Sequence, residues 1–68
     1  MKLDELLRDF LADPSAPALS DLADELADWP PAASLLRMAA RSVYLEDERL
    51  EELLGEAARE ARRLLEEG

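Results

Sequence analysis

Residues 47–67 decide the fold class: Asp47-Glu48-Arg49-Leu50-Glu51-Glu52-Leu53-Leu54-Gly55-Glu56-Ala57-Ala58-Arg59-Glu60-Ala61-Arg62-Arg63-Leu64-Leu65-Glu66-Glu67. Leu50, Leu53, Leu54, Ala57, Ala61, Leu64 and Leu65 recur at the three- and four-residue intervals that place side chains on one face of an α-helix. Glu and Arg fill nearly all the remaining positions, so the opposite face is charged. Glu48 repels Glu52 and Glu52 repels Glu56 one turn on, and Arg59 offsets part of this. Gly55 falls on the polar side, where it costs ~1 kcal/mol against Ala. Either another backbone approaches closely there or the helix bends.

Working towards the N-terminus, three shorter segments repeat the pattern. Leu3, Leu6, Leu7, Phe10 and Leu11 make one apolar face of a helix over about residues 2–12, with Asp4 and Glu5 in the first turn, where the helix dipole favours negative charge. Asp13-Pro14 ends it, because a residue before proline is pushed out of the helical region. Ser15 is the N-cap of a second helix, over about 16–28, with Pro17 in its first turn and Ala16, Leu19, Leu22, Ala23 and Leu26 on its stripe. Trp29-Pro30-Pro31 stops that helix and starts a third, over about 31–43.

The third segment has two apolar stripes, Leu36-Ala39-Ala40-Val43 and Leu35-Met38-Leu45, and only Ser34, Arg37, Arg41 and Tyr44 keep a polar arc. A helix apolar over most of its circumference is usually a central, buried one. The alternative is that its second stripe docks a partner helix. Leu36, Val43, Leu50, Ala57 and Leu64 keep a seven-residue spacing straight into the fourth segment, and no Gly or Pro interrupts residues 32–54. One long helix over 31–67 is therefore possible. A helix of about 36 residues would span ~54 Å, too long for two short partners to cover. Asp47 can serve as an N-cap with Leu45 as a hydrophobic staple. The expectation is a break near 44–46.

The reading is an all-α, compact bundle of four short helices, or three if residues 31–67 are continuous, forming a single domain over residues 1–68. The expected core is Leu3, Leu6, Leu7, Phe10, Leu22, Leu26, Leu36, Ala39, Val43, Leu50, Leu54, Ala57, Ala61 and Leu64, with Phe10 and Trp29 as core fillers. Composition agrees with it: Leu, Ala, Glu, Asp and Arg make up 51 of 68 residues, while Asn, Gln, Thr, Ile, His and Cys are absent. That is an alphabet of helix formers with almost nothing suited to strands. Sixty-eight residues bury only ~60% of their unfolded surface, which leaves no room for a large enzyme fold.

Function classes fall away on the same grounds. Without Cys there is no disulfide framework or thiolate site, and without His the commonest general base and zinc ligand are missing. No nucleophile stands beside a base and no Gly-rich phosphate loop occurs, so no catalytic activity and no cofactor are expected. Ser20-Asp21-Leu22 invites comparison with acyl-carrier proteins, but there the modified serine follows an aspartate, and here the order is inverted. The net charge of −9 removes nucleic acid and anionic membrane as electrostatically attracted partners and permits a basic protein. No apolar run reaches the ~20 residues of a membrane span. Met1-Lys2-Leu3-Asp4-Glu5 lacks a signal peptide's basic start and apolar centre. A soluble chain is expected, intracellular or simply expressed that way, with no compartment assigned.

Two sets of residues are candidates for contact with a partner. Asp21, Asp24, Glu25 and Asp28 put four carboxylates on one face of the second helix, and the interval from Asp9 to Leu36 holds six acidic residues and no basic one. The face is either simply solvated, a stripe offered to a basic partner, or a weak cation site, although a straight helix face lacks the converging loop that calcium prefers. Met38, Tyr44 and Leu45 lie off the main stripe of the third segment, and Met and Tyr are enriched at interfaces. No metal or catalytic residue is assigned.

The run from Glu51 to Gly68, together with the Asp13-Pro14-Ser15 and Trp29-Pro30-Pro31 joints, resembles de novo designed helical miniproteins. The resemblance is one of composition over the whole chain and carries no motif. It implies either a structural scaffold without activity or a protein-binding module that uses an apolar helix face or the acidic stripe.

Overall fold

A computed structural model describes residues 2–67. Met1 and Gly68, the ends of the unit read over 1–68, lie outside the described residues. Among the described residues there are four α-helices and no strand: α1 (Lys2–Ala12), α2 (Ala16–Glu25), α3 (Ala33–Ser42) and α4 (Asp47–Glu67), with a 3-10 turn at Pro30–Ala32 leading into α3. The radius of gyration is 10.8 Å, against about 11 Å for a folded chain of this length. No helix among the described residues is long and apolar enough to cross a membrane.

Local chemistry sets the first three boundaries. Asp13 N–H still bonds back to the Asp9 and Phe10 carbonyls, and Pro14 then ends α1. Ser15 is extended and its Oγ accepts from the Ala18 N–H at 3.2 Å, capping α2. α2 ends at Glu25, three residues short of the expected 28, and 26–28 form a turn. Pro30 explains the early stop: Trp29, before it, is extended at φ −106°, ψ 105°, and the chain unwinds over the preceding turn to reach that conformation. α3 and α4 are separate helices, divided by residues 43–46. The Tyr44 N–H bonds to the Arg41 carbonyl and the Leu45 N–H to the Ser42 carbonyl, which tightens and closes the last turn of α3. The Glu46 carbonyl accepts from Leu50 N–H, so Glu46 occupies the cap position expected of Asp47, which lies inside α4.

α4 is ~31 Å long at 1.5 Å per residue and matches the longest dimension of the molecule, 33 Å. α1 and α3 both pack on it, and α2 packs on α1 and α3. Leu7, Phe10, Leu19, Leu22, Leu26, Ala32, Leu35, Ala57, Ala61 and Leu64 form the buried cluster. Ala57 and Ala61 are completely buried, and their small side chains let neighbouring helices approach α4 closely. Trp29 packs against the cluster at the joint, in the role expected of it.

Three residues of the expected core need correction. Val43 is 76% exposed, because α3 ends at Ser42 and the chain turns outward there. Leu36 and Leu50 are half-buried and do not pack on the cluster. For Leu36 the reason is the rotation of α3: Leu35 is completely buried, and Met38, Ala39 and Ser42 share its side. For Leu50 it is overhang, since the ~31 Å α4 outruns the ~15 Å α3 beside it and leaves its first turn uncovered. Leu19, Ala32, Leu35 and Leu53 join the buried set in their place. Ser42, a polar residue on the buried side, is satisfied by donating from Oγ to the Ala39 carbonyl at 2.6 Å.

Gly55 has nothing within 4 Å of where a Cβ would stand, so no close backbone approach accounts for it.

Candidate functional site

The rotation of α3 decides which surface is available to a partner. Residues 35 and 36 point about 100° apart on a helix. With Leu35 inward, Leu36 and Val43 occupy one flank of α3, Ala33, Arg37 and Ala40 its exposed crest, and Arg41 the other flank. Tyr44 follows at the turn and is 87% exposed. Val43 and Tyr44 are the two large apolar side chains left open to solvent among the described residues.

The flanks can be assigned to neighbours. Arg41 and Leu45 line a cleft with Glu48, Arg49, Glu52, Leu53 and Glu56 of α4, so the arginine flank of α3 borders α4. The Leu36–Val43 flank therefore borders α2, the other helix on which α3 packs. On α2, Ala18 and Asp21 line a cleft with Leu6, Asp9, Phe10 and Asp13, so that edge borders α1. Ala16 and Ala23, on the opposite edge of α2, are half-buried without packing on the core cluster. The outward face of the α2–α3 hairpin thus has an apolar middle of Ala16, Ala23, Leu36, Ala40 and Val43.

The expected contact residues are distributed as follows. Asp21, Asp24 and Glu25 are exposed on α2 and turned away from the core; Asp28 is exposed too, but sits in the turn after the helix. No three His, Cys, Asp or Glu side chains among the described residues converge to hold a metal ion. Glu25 reaches Lys2 Nζ at 3.9 Å with both side chains at least half exposed, a pairing of little energetic weight. Met38 packs against the core, Leu45 is half-buried in the cleft towards α4, and Tyr44 is fully presented to solvent. The structure does not bring Met38, Tyr44 and Leu45 together on one surface. Leu36 and Val43, assigned to the core from sequence, join Tyr44 instead; the doubled stripe of the third segment is the signal that they had a second possible orientation.

Electrostatics elsewhere are those of a solvated helix. Arg63 Nε donates to Glu60 Oε1 at 3.0 Å and its Nη1 donates to Glu67. The Glu60 hydrogen bond, with the charges of Glu60 and Glu67, raises the guanidinium above its ordinary pKa, so it stays protonated under all usual conditions. The surface clefts are shallow and open, including one along 44–49 and one formed by Trp29, Pro31, Leu64 and Glu67. Buried side-chain polar atoms among the described residues all have partners.

No family model, curated protein or solved structure matches this chain.

Proposed function

We propose that this chain is a non-enzymatic helical module that binds a protein through the outward face of α2 and α3. The observation that carries the reading is the placement of Val43 and Tyr44 in solvent beside a half-buried Leu36 turned off the core. Scattered exposed apolar residues need no explanation, but an apolar band on adjacent helices, edged by charge, has the make-up of a contact surface. The net charge of −9 favours a protein over nucleic acid or an anionic lipid surface. The test is capture on immobilised protein, comparing the parent chain with Val43→Glu and Tyr44→Glu. Both positions are exposed, so the variants keep their helical circular dichroism. The reading requires a retained protein that both variants lose and that binds again when purified; a chain that retains nothing face-dependent, including a second copy of itself, overturns it.

A second reading, a structural scaffold with no activity of its own, is favoured by a different observation. The described backbone has no cis peptide and no positive φ outside glycine, and every buried side-chain polar atom is paired. Such regularity, without strain stored at any site, fits the resemblance to designed helical miniproteins.

A further inference from the structure

Across the outward face of the α2–α3 hairpin the chemistry changes in a fixed order. Towards α1 stand Asp21, which lines the cleft with that helix, and Asp24, on the outward crest of α2, both exposed and acidic. The middle is apolar, with Ala16 and Ala23 from α2 and Leu36, Ala40 and Val43 from α3. Towards α4 stand Arg41, which lines the cleft with that helix, and Arg37, on the outward crest of α3, both exposed and basic. A partner that fits this face needs an apolar centre with a basic edge on one side and an acidic edge on the other. A uniformly basic amphipathic helix would suit Asp21 and Asp24 but would meet Arg37 and Arg41 with like charge.

The face itself has the required order. A two-fold axis running parallel to the helices, in the plane of contact, lays α2 of one copy on α3 of the other. Apolar middle then meets apolar middle, and the Asp21–Asp24 edge of each copy lies opposite Arg37 and Arg41 of its partner. A two-fold axis across the helices would instead set α2 on α2 and oppose carboxylates to carboxylates, so charge selects the first arrangement. Resting on the protein-binding reading above, we propose that the occupant of this face is a second copy of the chain, forming an isologous dimer through α2 and α3. Two short helices give a small interface, and each copy carries −9, so association is weak and reversible.

Sedimentation equilibrium across ~1 µM to ~1 mM reads the association directly. Molar mass should climb from 7.6 kDa towards twice that value. Leu36→Glu and Val43→Glu should each weaken association by at least about tenfold; Val43 is exposed, so its variant keeps the helical content of the parent and is the decisive one. Arg37→Glu combined with Arg41→Glu should also weaken it; Arg59→Glu combined with Arg62→Glu, on the exposed side of α4, removes the same charge and should weaken it much less. Adding Asp21→Arg and Asp24→Arg to the Arg37→Glu, Arg41→Glu chain restores the order of charge with its sign reversed, and should restore the dimer. A monomer at ~1 mM, a dimer indifferent to Val43→Glu, or a swapped chain that fails to recover overturns the proposal. If the chain is monomeric throughout yet a different protein is held by this face and lost with Val43→Glu, only the second-copy assignment falls and the binding-module reading stands. If it is monomeric and holds nothing, both fall.

Discussion

Leu35 and Leu36 are covalent neighbours on α3 that the bundle treats oppositely: Leu35 is completely buried, whereas Leu36 is half-buried and turned away from the core cluster. Their side chains are chemically identical, so truncation at the two sites measures the facing of the helix and little else. Leu35→Ala should cost ~2–5 kcal/mol, the transfer term plus a cavity that close-packed neighbours cannot fill. Leu36→Ala should cost clearly less, about 1–2 kcal/mol, since part of its surface is already in water and it does not pack on the core cluster. Urea unfolding in dilute solution checks both, and equal costs would mean that α3 is rotated from the orientation described.

That facing is what sequence could not supply. Of the three helix joints, two are announced outright by local chemistry, the first by Pro14 and Ser15 and the second by Pro30. The face of α1 and the alanine seam of α4 follow from their single apolar stripes, which have one way to be buried. α3 has two stripes, Leu36-Ala39-Ala40-Val43 and Leu35-Met38-Leu45, and the side that is buried, Leu35, Met38, Ala39 and Ser42, takes residues from both and adds a polar one. Ser42 argues against burial until its hydroxyl is seen to bond the Ala39 carbonyl, a local solution that hydropathy does not register. The seven-residue spacing of Leu36, Val43 and Leu50 was misleading for a related reason. It spans a break with no Gly or Pro in it, so the residues that looked like one seam belong to a helix flank, a turn and an overhang. Of the proposed contact surface, Tyr44 and the carboxylates Asp21 and Asp24 were legible in the sequence; Leu36 and Val43 were hidden by that same choice of stripe.

Ser15 is the one side-chain cap among the described helices, its Oγ accepting from the Ala18 N–H at 3.2 Å. Ser15→Ala leaves that N–H to water and should lower stability by ~1 kcal/mol. At roughly 4–8 °C per kcal/mol for a domain of this size, the melting temperature should fall by several degrees. Ser15→Asp keeps an acceptor at the same place and should preserve most of the stability. A Ser15→Ala chain that melts with the parent would show that Pro17 alone fixes the start of α2.

Gly55 is exposed in the middle of α4, and a Cβ built on it meets no atom within 4 Å. Its φ is not positive, so alanine can adopt its conformation without strain. Gly55→Ala removes backbone freedom from the unfolded chain and should stabilise the protein by ~0.5–1 kcal/mol. Thermal unfolding followed at 222 nm checks it. A loss of stability would mean that α4 has to bend at this residue to keep both α1 and α3 in contact.

Asp28 lies in the turn after α2, one helical turn beyond Asp24 and close to the carbonyl end of the helix, where the dipole disfavours negative charge. It pairs with no basic side chain among the described residues. Asp28→Lys removes the repulsion from Asp24 and places a cation at the favourable end of the dipole, together about 0.5–1 kcal/mol of stabilisation at low ionic strength. The melting temperature should therefore rise by a few degrees in low salt. Both contributions act between exposed groups, so at 1 M salt, where the Debye length is ~3 Å, the difference from the parent should shrink towards zero. A gain that persists in high salt would point to new packing by the lysine stem rather than to charge. A fall in low salt would mean that the Asp28 carboxylate holds something in the folded state, and titration with divalent cations against the parent and Asp28→Asn would then separate a bound ion from a bond to the peptide backbone.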